Sequence, residues 1–516
     1  EAVRGRGESP ARYVFDEGHH LFHAADSTFS TALSGAETIE LRRWVIGPEG
    51  SRRGRRKGLA ARLSDVASYD EAAGGAIEAA LLAARALPAD DWLGRIAGGQ
   101  PGGAIEALLV AVRDMVLARA EEGRRASDVD PGYGLEAELA DPGGALVDAA
   151  QIASGALAAL LDPLRRLDRR LEDIIADPPD WMDATARNRV EGSRGALARR
   201  CDTLAGWIAL LARIGGPAVP EFVDWLAIDR YDGRETDIAI RRHWLDPTLP
   251  LAQHVLKPAH GVLITSATLR SGGDWNQAKA LTGASHLARS PGTFSAESPF
   301  DYASQARILI VTDIRRGDIA ALSGAYTRLI EASQGGALGL FTAIKRLRAV
   351  HARIADRLAR SGLPLFAQHV DPVDIGTLVD LFRADSHASI LGTDALRDGI
   401  DVPGDTLRLV VMEGVPWAKP SVLHAARKLA WDGNAYNDRI VRARLSQAFG
   451  RLIRRRGDKG VFVILSSAVP SRMLSAFPPG IAVERVTLDD AVQSVRAFLG
   501  SPSPPLGLPV ASVTLP

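Results

Sequence analysis

Apolar residues recur with helical spacing from about residue 30 to residue 215. Alanine, leucine and arginine dominate there, and aliphatic residues return every three or four positions, as on one face of a helix. The segment 164–175 has heptad-like spacing over too few repeats for a coiled coil, so packing against other helices is predicted. Pro178 and Pro179 end that pattern, and Pro217 and Pro220 mark the end of the helical region. The clearest helical segments are 76–82, 105–112, 157–161 and 204–211.

The period changes toward strands after Pro220. Segments 222–228 and 262–265 are predicted strands, and from residue 290 to the end strands alternate with helices. That alternation predicts a parallel α/β sheet covered by helices on both faces, with its sites at the carboxyl ends of the strands. The predicted strands of this region are 308–312, 338–342, 363–368, 389–393, 407–412 and 461–465.

The composition excludes few classes of protein. The 62 basic and 62 acidic residues cancel, so affinity for nucleic acid would have to come from local patches. Cys201 is the only cysteine of the sequence, which excludes an internal disulfide and a cysteine-ligated metal cluster and favours a reducing compartment. No apolar run approaches the roughly 18 residues of a membrane span. These features predict a cytoplasmic protein without a membrane partner.

An apolar strand close to the N-terminus ends in two adjacent carboxylates. Asp16 and Glu17 follow 13–15, and His19 comes two residues later. Hydrolysis of a nucleotide needs a metal at the phosphates and a group that orients the attacking water. Asp16 is suited to hold Mg²⁺, Glu17 to position or deprotonate the water, and His19 to link this segment to a neighbour. Taken alone, a strand followed by Asp-Glu is common, and its structural interpretation stays open.

A second candidate segment lies near the C-terminus. Gln447, Arg451 and Arg454 are spaced at four and three residues, which predicts that they share one helix face. Two guanidinium groups on that face can meet a transferring phosphate. Gly450 is costly inside a helix, which suggests a close approach by backbone or ligand. The alternative is a solvated basic helix that continues into Arg455.

In this order, segments 16–19, 261–269, 341–343, 391–404 and 447–454 resemble motifs II, III, IV, V and VI of the superfamily 2 helicases. The similarity is greatest to the DinG/XPD branch, with Asp16 to His19 in the place of its DEAH box. It implies an α/β fold with two RecA-like motor domains, the first incomplete, and a helical arch-like insertion. The implied domains are 1–30 (motif II), 31–215 (arch), 216–290 (motif III) and 291–516 (motifs IV to VI).

The resemblance also implies roles for single residues. Asp16, Glu17, Gln447, Arg451 and Arg454 would be catalytic, with Asp16 on Mg²⁺. The residues that would couple the ATP site are His19, Gly399, Asp401 and Gly450. The residues that would contact or couple DNA are Ser266, Thr268, Thr342 and Thr393. The run before Gly399 lacks the aromatic residues that are typical of motif V.

The function that follows is an ATP-dependent DNA helicase of DNA repair or replication. It would act as a monomer with ATP and Mg²⁺ on single-stranded DNA and on forked or tailed duplexes. Relatives often carry an iron–sulfur cluster upstream of motif II, a region that this chain does not include.

No phosphate-binding loop of the form G-x-x-x-x-G-K-[ST] occurs in the sequence. The nearest glycine and lysine cluster, 50–58, is interpreted as a solvated basic loop. The chain is therefore predicted to be the C-terminal portion of a longer protein. Two alternatives stay open: a nucleic-acid-binding module without ATPase activity, and a metal-dependent nuclease that uses Asp16 and Glu17.

Overall fold

The computed structural model describes residues 11–49, 57–122, 134–270, 275–315, 317–399, 402 and 404–500. The basic cluster 50–58 lies mostly outside this part, and Asp401 lies outside it entirely. Contacts divide the chain into two compact units. The first unit comprises the described residues of Glu1–Val14, His20–Leu263 and Pro420–Arg427. The second comprises those of Phe15–His19, Ile264–Lys419 and Lys428–Pro516.

The strands form three sheets within the described residues. They are β1 (Arg12–Phe15), β2 (Thr31–Ser34), β3 (Leu135–Glu138), β4 (Phe222–Tyr231), β5 (Arg234–Trp244), β6 (Gly261–Ile264), β7 (Ala306–Val311), β8 (Ala337–Leu340), β9 (Leu365–Ala367), β10 (Ser389–Gly392), β11 (Leu409–Met412), β12 (Gly460–Leu465) and β13 (Ala482–Val486). Strand β1 pairs with β6. An antiparallel sheet has the order β2-β5-β4-β3, and a parallel sheet has the order β13-β7-β12-β11-β8-β10-β9.

The helices account for most of the remaining described residues. They are α1 (Leu21–Phe29), α2 (Gly35–Val45), α3 (Leu59–Arg62), α4 (Ser64–Tyr69), α5 (Glu71–Ala83), α6 (Trp92–Ala97), α7 (Ala104–Glu122), α8 (Gly143–Ala176), α9 (Ala184–Leu211), α10 (Thr248–Leu251), α11 (Trp275–Thr282), α12 (Tyr302–Gln305), α13 (Ile319–Ser333), α14 (Ile344–Arg360), α15 (Ile375–Ala384), α16 (Asp394–Gly399), α17 (Val422–Ala430), α18 (Asn434–Phe449) and α19 (Leu488–Gly500).

Helix packing organises the first unit, as the periodicity predicts. The stripe that includes Leu164, Leu167 and Leu171 on α8 is buried in a core shared with α5, α7 and α9. Helix α8 ends at Ala176, directly before the predicted proline stop. By length and composition α8 could also cross a membrane. Since its apolar stripe packs into this core, that property is weak evidence for a membrane partner.

The antiparallel sheet of the first unit was not expected within a helical region. Strands β2 and β3 come from the helical segment and pair with β5 and β4. Leu226 and Ile240 of β4 and β5 join the core that the helices form. These two strands were expected to return to the first motor domain, but their inward residues share the core of the helices. The predicted boundary at residue 215 therefore falls inside this compact unit.

The parallel sheet of the second unit is buried on both faces. On β7, Ile308 and Ile310 belong to one core cluster, whereas Leu309 and Val311 belong to the cluster on the opposite face. Such continuous apolar strands are typical of a parallel sheet covered by helices on both sides. The predicted α/β class and the predicted strand and helix alternation are confirmed. Polar residues that follow the strands, including Thr342 and Thr393, lie at the carboxyl edge of this sheet.

Candidate functional site

The turn after β1 is built by a glycine that has no room for a side chain. A Cβ on Gly18 would lie 2.2 Å from Cγ2 of Ile264, at the end of β6. The backbone N–H of Gly18 donates to the carbonyl oxygen of Thr265 at 2.8 Å, and Thr265 donates to that of Phe15 at 2.9 Å. Glu17 adopts a left-handed φ of 51°. The close approach thus brings the ends of β1 and β6 together.

Three predicted site residues meet at this junction. Nδ1 of His19 lies 2.7 Å from the hydroxyl oxygen of Ser266, and that hydroxyl donates to Oε2 of Glu17 at 3.2 Å. Nδ1 of His19 is also 3.2 Å from the same carboxylate oxygen. The serine has one proton to donate, so a hydroxyl that donates to Glu17 contacts His19 in the tautomer protonated at Nδ1. Thr268 completes the turn, since its backbone N–H donates to the hydroxyl of Ser266 at 3.2 Å.

Asp16 is exposed beside this cluster. One of its carboxylate oxygens accepts the backbone N–H of Glu17 at 2.9 Å. Mg²⁺ in nucleotide sites is held by one or two carboxylates together with waters and substrate phosphates. An exposed aspartate at a strand end fits that donor set, with Glu17 as its neighbour. Among the described residues, no group of three or more His, Cys, Asp or Glu side chains lies together as a metal site.

The helix predicted to carry both arginines ends too early for that role. Helix α18 ends at Phe449 and Gly450 is its C-cap, so Gln447 lies in the last turn while Arg451 and Arg454 lie beyond the helix. The prediction of one shared helix face is therefore wrong. A Cβ on Gly450 would come no closer than 3.3 Å to its own preceding turn, so Gly450 marks the helix end and no close approach by another segment.

Two buried polar residues hold the arginine turn. The carboxylate of Asp458 accepts the backbone N–H groups of Arg454 and Arg455 at 2.8 and 2.7 Å. The side-chain amide of Gln305 donates to the carbonyl oxygens of Arg455 and Asp458 at 3.2 and 2.9 Å. Asp458 and Gln305 are 6% and 3% exposed, so these contacts are shielded from water. Sequence reasoning missed both, since neither belongs to a recognisable motif.

Predicted DNA contacts lie at the carboxyl edge of the parallel sheet. Thr342 follows β8, and its backbone N–H donates to Oε1 of Glu413 at 2.7 Å. Arg346 donates to both carboxylate oxygens of Glu413 at 2.7 Å, and also to the hydroxyl of Thr342. The Glu413 side chain is only 4% exposed, so its charge is compensated inside the protein by Arg346. A cavity of about 130 Å³ opens beside Thr342, Arg346 and Glu413 and reaches Ser466 after β12.

The neighbouring strand places Thr393 at the same edge. Its backbone N–H and its hydroxyl both donate to the side-chain oxygen of the buried Gln368, each at 3.0 Å. Gln368 follows directly on β9 and Glu413 on the buried β11, but neither belongs to a motif that marked it in the sequence. Gly399 was expected in a loop, but it is the last residue of α16.

The predicted site residues thus form separate groups. Glu17, His19, Ser266 and Thr268 lie together, and Thr342 and Thr393 share the sheet edge. The carboxylates of Asp16 and Glu17 form no ion pair with Arg451 or Arg454 within the described residues. The proposed roles of all these side chains stay predictions.

Comparison with known proteins points to one family. Residues 326–479 match the helicase C-terminal domain. The chain is 31% identical over 274 residues to the ATP-dependent helicase DinG of Mycobacterium tuberculosis, covering 51% of this chain and 40% of that protein. It is 28% identical over 264 residues to the ATP-dependent DNA helicase YoaA of Escherichia coli, covering 47% and 38%. Similarity also extends to a Bacillus subtilis protein named 3'-5' exonuclease DinG, with 29% identity over 261 residues, 48% of this chain and 28% of that protein.

The chain therefore spans less than half the length of these relatives. Similarity to solved structures is weaker. The S. cerevisiae protein Dbp5, bound to RNA and ADP BeF3, is 16% identical with a TM-score of 0.32, covering 49% of this chain and 59% of that one. The helicase C-terminal domain and the similarity to the DinG and YoaA proteins support a DinG-like superfamily 2 helicase.

Proposed function

We propose that the chain forms part of an ATP-dependent DNA helicase that couples ATP hydrolysis to translocation on single-stranded DNA and to duplex unwinding. Its similarity to the DinG-like helicases supports the reaction class. The observation that carries the coupling is the contact of the Ser266 hydroxyl with both Glu17 and His19. It joins a carboxylate suited to hydrolysis to a segment 249 residues away in sequence.

The residues after β1 would act on the attacking water. Asp16 would hold Mg²⁺, which supplies positive charge at the phosphates. The carboxylate of Glu17 would orient the water and accept its proton. A change in the charge of Glu17 would change the acceptor to which the Ser266 hydroxyl donates its proton. Through Ser266 it would then shift Thr268 and His19. Nucleotide state would reach the DNA-binding residues by this route.

The second unit would supply cations and DNA contacts. Arg451 and Arg454 extend from a turn fixed by Asp458 and would stabilise negative charge on the transferred phosphate. The exposed Thr342 and the half-buried Thr393 lie at one sheet edge, where strand ends commonly form sites. We propose that they contact the backbone of single-stranded DNA, and that the substrates are forked or tailed duplexes.

We further propose that the protein is a cytoplasmic monomer that serves DNA repair or replication.

The test is ATP hydrolysis by the full-length gene product, with and without single-stranded DNA. We expect stimulation by DNA and a loss of at least about 100-fold in Glu17→Gln, since a general base contributes that much or more. The matched control is Glu297→Gln, which removes an exposed carboxylate outside the cluster. If Glu17→Gln and the control hydrolyse ATP equally fast, Glu17 has no part in the reaction and the proposal is wrong.

A further inference from the structure

A larger cleft lies in the first unit, apart from the residues discussed so far. It has a volume of about 1510 Å³ and lies beside α2 and α9. At its floor the ring of Trp44 is 7% exposed. The guanidinium carbon of Arg200 lies 4.1 Å from the centroid of that ring, and that of Arg62 lies 5.2 Å from it. Stacking on the indole holds both cations in place at the cleft.

The arginines of this cleft fall into two classes. Arg43, which lines the cleft, is paired with Glu40 and Asp90, and Arg42, which does not line it, is paired with the lining residue Glu49. In contrast, no carboxylate of the described residues forms an ion pair with the three remaining cleft arginines. They are Arg62, Arg199 and Arg200. Of the acidic lining residues, Glu40, Glu49 and Asp90 are already paired, and Glu37 has Asp237 and Arg241 as its charged neighbours. Within the described residues, none of the four pairs with Arg62, Arg199 or Arg200.

The few contacts of the three cations use neutral acceptors. Nε of Arg62 donates to the carbonyl oxygen of Lys57 at 2.6 Å, and Nη1 of Arg200 donates to that of Ala196 at 3.0 Å. Burial and the neighbouring charges of Arg62 and Arg199 lower the pKa of Arg200 to about 10. Partly buried like charges without a counter-charge are costly. An anion bound between them would relieve that cost.

We propose that the cleft of Arg62, Arg199 and Arg200 binds phosphate groups, presented either by a single-stranded nucleic acid or by a free polyphosphate such as a nucleoside triphosphate. Planar guanidinium groups suit phosphate because they can donate two parallel hydrogen bonds to it. The site lies in the helical unit, and binding there does not depend on ATP hydrolysis by the chain.

The proposal is tested by binding to the full chain without nucleotide or Mg²⁺. The probes are a fluorescein-labelled oligothymidylate and inorganic tripolyphosphate, each titrated over a range of salt concentrations. The variant is Arg62→Gln/Arg199→Gln/Arg200→Gln. A matched control, Arg165→Gln/Arg166→Gln/Arg169→Gln, removes the same charge from exposed positions on α8. Circular dichroism checks folding. The single variant Arg199→Gln removes an exposed guanidinium and leaves the stack of Arg62 and Arg200 on Trp44 intact.

If a strand occupies the cleft, the triple variant binds oligothymidylate at least tenfold more weakly. Its plot of log affinity against log salt becomes less steep by about 2, because each phosphate on a single strand contributes about 0.7 to the slope. If only tripolyphosphate binding falls, the ligand is a free polyphosphate. Unchanged binding of both probes by the folded variant overturns the proposal, as does an equal loss in the control.

Discussion

Nδ1 of His19 lies 2.7 Å from the hydroxyl oxygen of Ser266, although 247 residues separate them in sequence. The same hydroxyl reaches the carboxylate of Glu17. A hydroxyl shared by a histidine and a carboxylate responds to the charge of both, because it has a single proton to donate. Ser266 is therefore placed to relay a change at Glu17 to the residues that follow β6.

The first prediction concerns this contact. Single variants His19→Ala and Ser266→Ala are expected to lower the rate of duplex unwinding in the full-length protein. The double variant should lose less than the sum of the single losses in free energy, by about 0.5–3 kcal/mol, since residues in contact couple to that extent. The measurement is a double-mutant cycle on unwinding rates. Additive losses would mean that the two side chains act independently. The control is Ser295→Ala, at an exposed serine.

The glycine after Glu17 gives a second prediction. Gly18→Ala would bring a methyl group within 2.2 Å of Cγ2 of Ile264, so the ends of β1 and β6 must move apart. We expect thermal unfolding to show a loss of about 1–3 kcal/mol, as for overpacked sites, together with slower ATP hydrolysis. Adding Ile264→Leu to Gly18→Ala removes the β-branched methyl and should restore part of both losses.

Gly144→Ala is the matched control for this prediction. A Cβ added at Gly144 meets no atom within 4 Å. Stability and hydrolysis should therefore be nearly unchanged in that variant. A stable and fully active Gly18→Ala protein would show that the junction tolerates a side chain after all.

Asp458 gives a third prediction through the arginine turn. Asp458→Ala leaves the backbone N–H groups of Arg454 and Arg455 without their buried acceptor. Such a loss costs about 1–3 kcal/mol in unfolding free energy. ATP turnover should fall because Arg451 and Arg454 are no longer positioned, while affinity for single-stranded DNA should stay the same.

Asp458→Asn keeps one acceptor and is expected to recover part of the turnover. The control is Asp356→Ala, at an exposed position on α14. Turnover and DNA affinity are measured side by side. If Asp458→Ala weakens DNA binding as strongly as turnover, the turn has a general structural role and does not serve the arginines specifically.

A fourth prediction follows from a buried ion pair in the first unit. Arg427 donates to both carboxylate oxygens of Asp26, at 3.1 and 2.6 Å, and His243 contacts one of them at 2.8 Å. Burial opposes ionisation of Asp26, but the hydrogen bonds and charges of His243 and Arg427 outweigh it and lower the pKa of Asp26 from 3.8 to about 2. The contribution to stability is therefore fully present above about pH 4 and is lost as the pH falls through about 2.

The expected size of that contribution is about 2 kcal/mol, from 1.36 kcal/mol for each unit of pKa difference. Asp26→Asn should lower the free energy of unfolding by at least that amount at pH 7, because Arg427 then stays buried without its counter-charge. It should also flatten the stability curve between pH 4 and pH 2. Denaturant unfolding at several pH values measures both effects. Asp148→Asn, at an exposed carboxylate, should change neither. If Asp26→Asn lost stability between pH 4 and pH 2 as the unsubstituted protein does, the lowered pKa of Asp26 would not be the cause.

The order of strands and helices in the second unit could be predicted from the sequence for a simple reason. Parallel strands buried on both faces are continuous apolar runs, and β7, β11 and β12 are of this kind. Residues directly after such runs, including Thr342 and Thr393, were therefore found at the sheet edge. The contact of Ser266 with the turn after β1 was anticipated only through the family resemblance.

Other features depend on contacts that local spacing does not contain. Helix α18 ends before Arg451, and the turn that follows is held by Asp458 and by Gln305, which is distant in sequence. Strands β4 and β5 pair with β3 and β2 from the helical segment, and two short strands do not disturb a helical period. Glu413 was missed because its significance comes from Thr342 and Arg346, which lie 71 and 67 residues before it in sequence.

The most direct measurement is the factor by which single-stranded DNA stimulates ATP hydrolysis in a full-length protein that carries Ser266→Ala. Hydrolysis without DNA should stay within a few fold of the unsubstituted protein, because Glu17 is retained. The stimulation factor should fall by about 5-fold or more, the usual range of coupling between two sites. Stimulation by DNA at the unsubstituted level would contradict the role of Ser266 in coupling.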